Sequence, residues 1–166
     1  MQQQYLSGDN SLRPDTITYT AVISAFAGAG QTVRAEELLE EMYADYLDGN
    51  VPAKPNIISF NTVLDAWSKS KSRDAPERAE AMLERISQLH ASGALDIKPN
   101  IRSYNSVINC WAKSGRKDAP DAALKLLRTI QQQYLAGDNS SRPNTIVYSS
   151  VINCWARSGR KDAPDT

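Results

Sequence analysis

The chain has little of what most protein chemistry requires. Its 166 residues include one histidine and two cysteines, and its 19 basic residues are balanced by 19 acidic ones. His90 stands alone, and Cys110 and Cys154 are 44 positions apart, so the sequence has no metal-ligand spacing; it also has no glycine-rich phosphate loop and no Ser-His-Asp set. No catalytic residue, metal or cofactor is therefore expected, nor a small-molecule substrate, and the chain does not read as an enzyme. The two cysteines read as free thiols in a reducing compartment. No stretch of about 18 apolar residues occurs, so no membrane-spanning helix is expected. Met1 is followed by Gln-Gln-Gln-Tyr, which does not read as a secretory leader. Zero net charge removes the simplest argument for a nucleic-acid partner, and any such argument must come from how the charges are distributed.

What the chain does have is self-similarity. CWAKSGRKDAPD at 110–121 returns as CWARSGRKDAPD at 154–165, an offset of 44, and QQQYLSGDNSLRPD at 2–15 returns as QQQYLAGDNSSRPN at 131–144. A Pro-Asp or Pro-Asn pair closes each unit, at Asp15, Asn56, Asn100 and Asn144. The units then run 16–56, 57–100 and 101–144, with a truncated fourth from 145 to 166 and the tail of a preceding one at 1–15. The segment reads as a window from a longer array.

Each unit holds two amphipathic stretches. Apolar residues at i, i+3, i+4 and i+7 mark one face of a helix: Tyr19, Val22, Ile23, Phe26; Phe60, Val63, Leu64, Trp67; Tyr104, Val107, Ile108, Trp111; Tyr148, Val151, Ile152, Trp155. A second stripe recurs as Ala35, Leu38, Leu39, Met42, as Ala79, Met82, Leu83, Ile86 and as Ala123, Leu126, Leu127, Ile130, its alanine small enough to let paired helices approach. Between the stripes, Asp74 and Glu77 have the spacing of a capping box, Asp118 and Asp162 are repeat-matched caps, and Pro76 suits a helix's first turn. In the first unit Gly28-Ala29-Gly30-Gln31 replaces this turn and is three residues shorter. Gly49, Gly93 and Gly137, followed by Pro55, Pro99 and Pro143, end the second helices. Such a unit cannot bury its stripe alone, so the expected fold is all-α: antiparallel helix-turn-helix hairpins stacked into a solenoid.

The segments IISFNTVLDAWSKS at 57–70 and IRSYNSVINCWAKSG at 101–115, each preceded by Lys-Pro-Asn, resemble pentatricopeptide repeats, and Ala-x-x-Leu-Leu-x-x-Met at 35–42 matches the second helix of that family. The likeness covers nearly the whole chain, although these units are longer than is usual in the family. It implies a right-handed superhelix that binds single-stranded RNA, one base per repeat. The base would be chosen by the fifth residue of each unit (Thr20, Asn61, Asn105, Ser149) together with the closing residue (Asn56, Asn100, Asn144). All are short side chains able to hydrogen-bond an unpaired base edge. By the same resemblance the order read from 5′ to 3′ is adenine, a pyrimidine, a pyrimidine, then a purine. Second positions sandwich the base, and Ile17, Ile58 and Ile146 fit. Arg102 departs from the pattern, and its guanidinium could stack on a base instead. Lys69, Lys113 and Arg157 share the position that contacts phosphate, where the first unit has Gly28. Proteins of this kind mostly act in mitochondria or chloroplasts, on RNA processing, stability, editing or translation, and other RNA-processing proteins are possible partners.

Charge by helix points the same way. Residues 101–117 carry Arg102, Lys113, Arg116 and Lys117 with no acid, and 145–161 carry Arg157, Arg160 and Lys161 with none. Residues 35–56 hold six acids against Lys54 alone. Net zero thus divides into basic first helices and acidic second helices, as a phosphate backbone requires. A cation at the end of a helix also complements its dipole without any ligand. The aromatic residues on the stripes read as core, Cys110 and Cys154 as small buried fillers, and His90, which aligns with Tyr46, Tyr134 and Tyr5, as a packing residue. The competing reading is a helical-repeat scaffold that holds a protein in its groove without RNA readout.

Overall fold

The structure is a computed structural model that describes residues 13–160. It consists of helices α1 (Thr16–Gly28), α2 (Thr32–Leu47), α3 (Ile57–Lys69), α4 (Ala75–Ala91), α5 (Ile101–Ser114), α6 (Ala119–Leu135) and α7 (Thr145–Ser158). Short 3-10 turns follow α2 at Val51–Ala53 and α6 at Asn139–Ser141, and no strand occurs among the described residues. The chain forms two compact units, Met1–Val63 and Leu64–Thr166. The tail at 1–12, with Tyr5, and residues 161–166, with Lys161 and Asp162, lie outside the described residues.

The first helices begin where the Pro-Asp and Pro-Asn pairs stand, because the acidic or amide side chain caps them. Asp15 Oδ1 accepts from Thr18 N at 2.8 Å, and Asn56 Oδ1 accepts from Ile58 N and Ser59 N at 3.0 Å each. Asn100 Oδ1 accepts from Arg102 N and Ser103 N, while the Ser103 hydroxyl accepts from Asn100 N, a reciprocal capping box. Asn144 Oδ1 accepts from Val147 N at 3.0 Å. Each cap satisfies first-turn N–H groups that have no partner inside the helix. At the other end, α5 and α7 stop at Gly115 and Gly159, whose φ values of 62° and 66° lie in the left-handed region that other side chains resist.

The second helices start differently from the sequence reading. Pro76 sits in the first turn of α4 as expected, and Pro120 does the same in α6, but Asp74 and Asp118 make no side-chain cap bond, and the Asp74–Glu77 capping box does not form. Their carboxylates have stronger partners close by. Asp74 accepts from the Ser72 hydroxyl and, at 3.4 Å, from Arg78, while Asp118 is held by Arg116 through Nε at 3.0 Å and Nη2 at 2.7 Å. The pKa of each carboxyl is lowered, chiefly by the Ser72 hydroxyl for Asp74 and by the Arg116 guanidinium for Asp118.

In the first unit α1 packs on α2 around buried Ile23, Ala35, Leu39 and Met42. In the second unit α5 packs on α4, α6 and α7, and α6 on α7. The stripes of α3 and α5 are buried throughout, whereas α1 and α7 leave Val22 and Ile152 exposed. The α5 stripe is covered by α4, α6 and α7, its neighbours within the second unit. Ala79 and Ala123 are completely buried, as close helix approach requires. Tyr148 departs from the expected core aromatics at 43% exposure, because no further helix follows α7 among the described residues to complete its hairpin. His90 is exposed on the last turn of α4 and is not a packing residue.

Cys110 and Cys154 are buried free thiols, and desolvation pushes both up to about 12. Polar ties fix the turns. Asn50 donates to Pro14 O at 2.9 Å and to Asp45, which also accepts from the Tyr19 hydroxyl. At the matching place in the second unit, Gln133 donates to the Tyr104 hydroxyl at 2.7 Å, and Lys98 bonds Asp138 at 2.8 Å. Arg116 lies over the Trp111 ring and bonds Glu77 on α4; Arg160 lies over Trp155 and bonds Asp121 on α6 at 2.6 Å. Each arginine thereby staples a first-helix end to the second helix of the hairpin before it.

Candidate nucleic-acid interface

The expected base-reading residues all stand on first helices or at their caps, but their accessibility differs. Thr20 on α1 is half-buried, its hydroxyl 3.1 Å from Ser59 Oγ, and Asn105 on α5 is also half-buried. Ser149 on α7 is exposed. Asn61 is buried at 4% exposure, so its amide is not displayed as the resemblance implies.

The closing asparagines have a divided role. Capping consumes Oδ1 of Asn56 and of Asn144, while Nδ2 of each makes no hydrogen bond among the described residues. What remains of these side chains is a donor. Because the caps hold the side chains in place, that donor is already oriented before any ligand arrives.

Around Ser149 the second unit forms an open cavity of about 520 Å³ lined by Asn109, Thr145, Ile146, Ser149, Ser150 and Asn153. Ser150 Oγ lies 3.2 Å from Asn105 Oδ1 and 3.0 Å from Asn109 Oδ1, holding both amides on α5. Asn109, Asn153 and Ser150 belong to this cavity, and sequence reasoning missed them. The signal was available: Asn recurs at unit position 9 in Asn109 and Asn153, one helical turn after the fifth position.

Second positions divide in two. Ile17, Ile58 and Ile146 are exposed at 78%, 60% and 60%, apolar surface that a stacked base would cover. Arg102 does not project to stack. Its Nε donates to Asp65 Oδ2 at 3.2 Å, Nη2 bonds the same oxygen, and the other oxygen of Asp65 accepts from Ser106 Oγ at 2.5 Å. The guanidinium is thus spent on an acid of the preceding first helix.

The three expected phosphate-contacting cations also differ. Lys113 donates to Ser68 O at 2.5 Å, at the C-terminal end of α3, where a cation offsets the dipole of the neighbouring helix. Lys69 and Arg157 are exposed and form no ion pair among the described residues. No group of three or more histidine, cysteine or acidic side chains among the described residues could hold a metal, and no helix there is long and apolar enough to cross a membrane.

Antiparallel helical hairpins recurring with the sequence repeat, with capped first helices that carry cations, amides and hydroxyls, define a helical-repeat protein. Family models described as PPR repeat match residues 10–43 and 102–132. The chain carries pentatricopeptide repeats. It is similar to two pentatricopeptide repeat-containing proteins of Arabidopsis thaliana. One is 42% identical over 60 residues, 36% of this chain and 10% of the relative. The other, named as chloroplastic, is 39% identical over 69 residues, 42% of this chain and 8% of the relative. The chain spans about a tenth or less of the length of these relatives.

Proposed function

We propose that this chain is part of a sequence-specific single-stranded RNA-binding array in which each repeat takes one base. The observation that carries the reading is the pairing, on one helix start, of an exposed aliphatic second residue with a cap asparagine whose amide donor is left over. Thr20 with Asn56, and Asn105 with Asn144, are the stations best supported. Exposed Ile58 and Ile146, on the helix starts that Asn56 and Asn144 cap, offer the apolar faces, and an amide donor and hydroxyls offer the hydrogen bonds that an unpaired base edge needs. Asn61 is the least accessible of the four readers and contributes least in this reading. Lys69 and Arg157, exposed and without an ion pair among the described residues, supply phosphate contacts that position the strand without selecting sequence.

The place of action is an organelle, chloroplast or mitochondrion, and the role is transcript processing, stability or translation. One relative's name contains the word chloroplastic, and that supports this part of the reading. The test is RNA binding by the chain in its natural array, comparing oligonucleotides with ACC and GGU cores at one fixed salt concentration. Tighter binding of the ACC core is expected; equal affinity would reject base readout. A peptide-binding scaffold would show neither RNA affinity nor salt dependence.

A further inference from the structure

A second cavity, of about 500 Å³, opens at the turn ends of α3 and α5. Four cations line it, Lys71, Arg73, Lys113 and Arg116, together with the serines 68, 70, 72 and 114, and no carboxylate is among its lining residues. Buried Trp67 and Cys110 contribute to its lining. Two of the four cations are already engaged: Lys113 with Ser68 O, and Arg116 with Glu77 and Asp118. Lys71 and Arg73 have no acidic partner among the described residues. The Ser70 hydroxyl accepts from Ser72 N at 3.1 Å, and its own proton goes to no acceptor among the described residues. Ala75 and Pro76, the first residues of α4, complete the wall. Since Asp74 is turned towards Ser72 and Arg78, that 17-residue helix presents an N-terminus without a side-chain cap. Positive helix-end potential and unpaired cations around one volume favour an anion there.

We propose that this cavity holds a phosphate group, supplied by the backbone of a bound RNA strand, and that Lys71, Arg73 and the Ser70 hydroxyl are its principal ligands. The site is a product of the long interhelix turn. Lys71 and Arg73 lie in the stretch that the first unit shortens to Gly28-Ala29-Gly30-Gln31, which carries no charge. Longer turns would therefore add an anion site beyond the helix-borne cations. The phosphate chemistry stands by itself; the identity of its source rests on the RNA reading above.

The test uses the full chain, the double variant Lys71→Gln/Arg73→Gln and a control, Lys125→Gln/Arg128→Gln, which removes the same charge from α6. Titration with inorganic phosphate, followed by amide NMR, should shift Ser70, Ser72 and Ala75 in the wild type and the control but not in the turn variant. No shift in the wild type would overturn the site. With RNA, the affinity ratio between about 50 and 200 mM salt should shrink by about 2.5-fold in the turn variant, the loss of one single-strand phosphate contact, and should hold in the control. An unchanged ratio alongside a phosphate shift would overturn the RNA backbone as the source. Failure of the RNA reading itself looks different: the wild type would then bind no RNA while its phosphate shifts persist, which would likewise overturn the backbone assignment.

Discussion

Arg102, in the first turn of α5, is tied to Asp65 on α3, with its Nε 3.2 Å from Oδ2, and one repeat later the equivalent positions are Ile146 on α7 and Asn109 on α5. The two substitutions belong together. An acid on a first helix would repel phosphate, and an arginine beside it neutralises the acid at the expense of its own availability.

Replacing Asp65 by Asn separates these effects. The amide can still accept from Ser106, as Asn109 Oδ1 faces Ser150 at the equivalent place, so the α3 to α5 tie survives. The lost ion pair is mostly exposed on its arginine side, and the stability change should stay below about 1 kcal/mol. RNA affinity should rise about fivefold, roughly 1 kcal/mol, because one acid is gone and one guanidinium released. Fluorescence anisotropy measures it, and unchanged or weaker binding would contradict the assignment of this face to RNA.

The Lys98–Asp138 pair predicts a pH dependence. Asp138 is held down to about 2, first by Lys98 and then by Ser140. A carboxyl whose folded pKa lies below its unfolded value of about 3.9 stabilises the fold above that value, and the contribution is lost as pH falls through the folded one. Denaturation midpoints should therefore drop between about pH 4 and pH 2, and Asp138→Asn should flatten that part of the profile while leaving the rest in place.

The thiols provide a test of packing. Burial raises Cys110 and Cys154 to about 12, and only a thiolate attacks an aromatic disulfide reagent efficiently. At about pH 8 the native chain should react far more slowly than the unfolded one, which should titrate two thiols at once. Rapid labelling of either cysteine in the native chain would mean that the inter-hairpin core opens.

Much of this was legible in the sequence, for reasons tied to particular residues. The stripes of α3 and α5 follow a 44-residue repeat, and the Pro-Asn pairs mark helix starts because proline interrupts the preceding helix and the asparagine side chain is a good cap. Local competition was harder to read. Asp74 and Asp118 have the right spacing to cap, but Ser72 and Arg116, two residues earlier, hold their carboxylates instead. The Arg102–Asp65 tie spans 37 positions, and its signal was that both residues break the repeat at once. The buried Asn50 network depends on contact with Pro14, 36 positions earlier, which no local pattern announces.

The double role of the closing asparagines makes the sharpest prediction. In Asn56 the carbonyl oxygen serves the α3 cap and the amide nitrogen is left to meet a base. Asn56→Asp keeps an acceptor at the cap, as Asp15 already does at α1, and adds charge suited to a helix N-terminus. Thermal stability should therefore hold within about 0.5 kcal/mol or improve slightly, while base preference changes at a single nucleotide. Asn56→Ala removes both functions and should cost about 1 kcal/mol in stability as well as selectivity. Denaturant melts and a set of oligonucleotides differing at one base distinguish the outcomes. If the Asp variant kept its stability and bound every oligonucleotide as the wild type does, Asn56 would be a cap and nothing more.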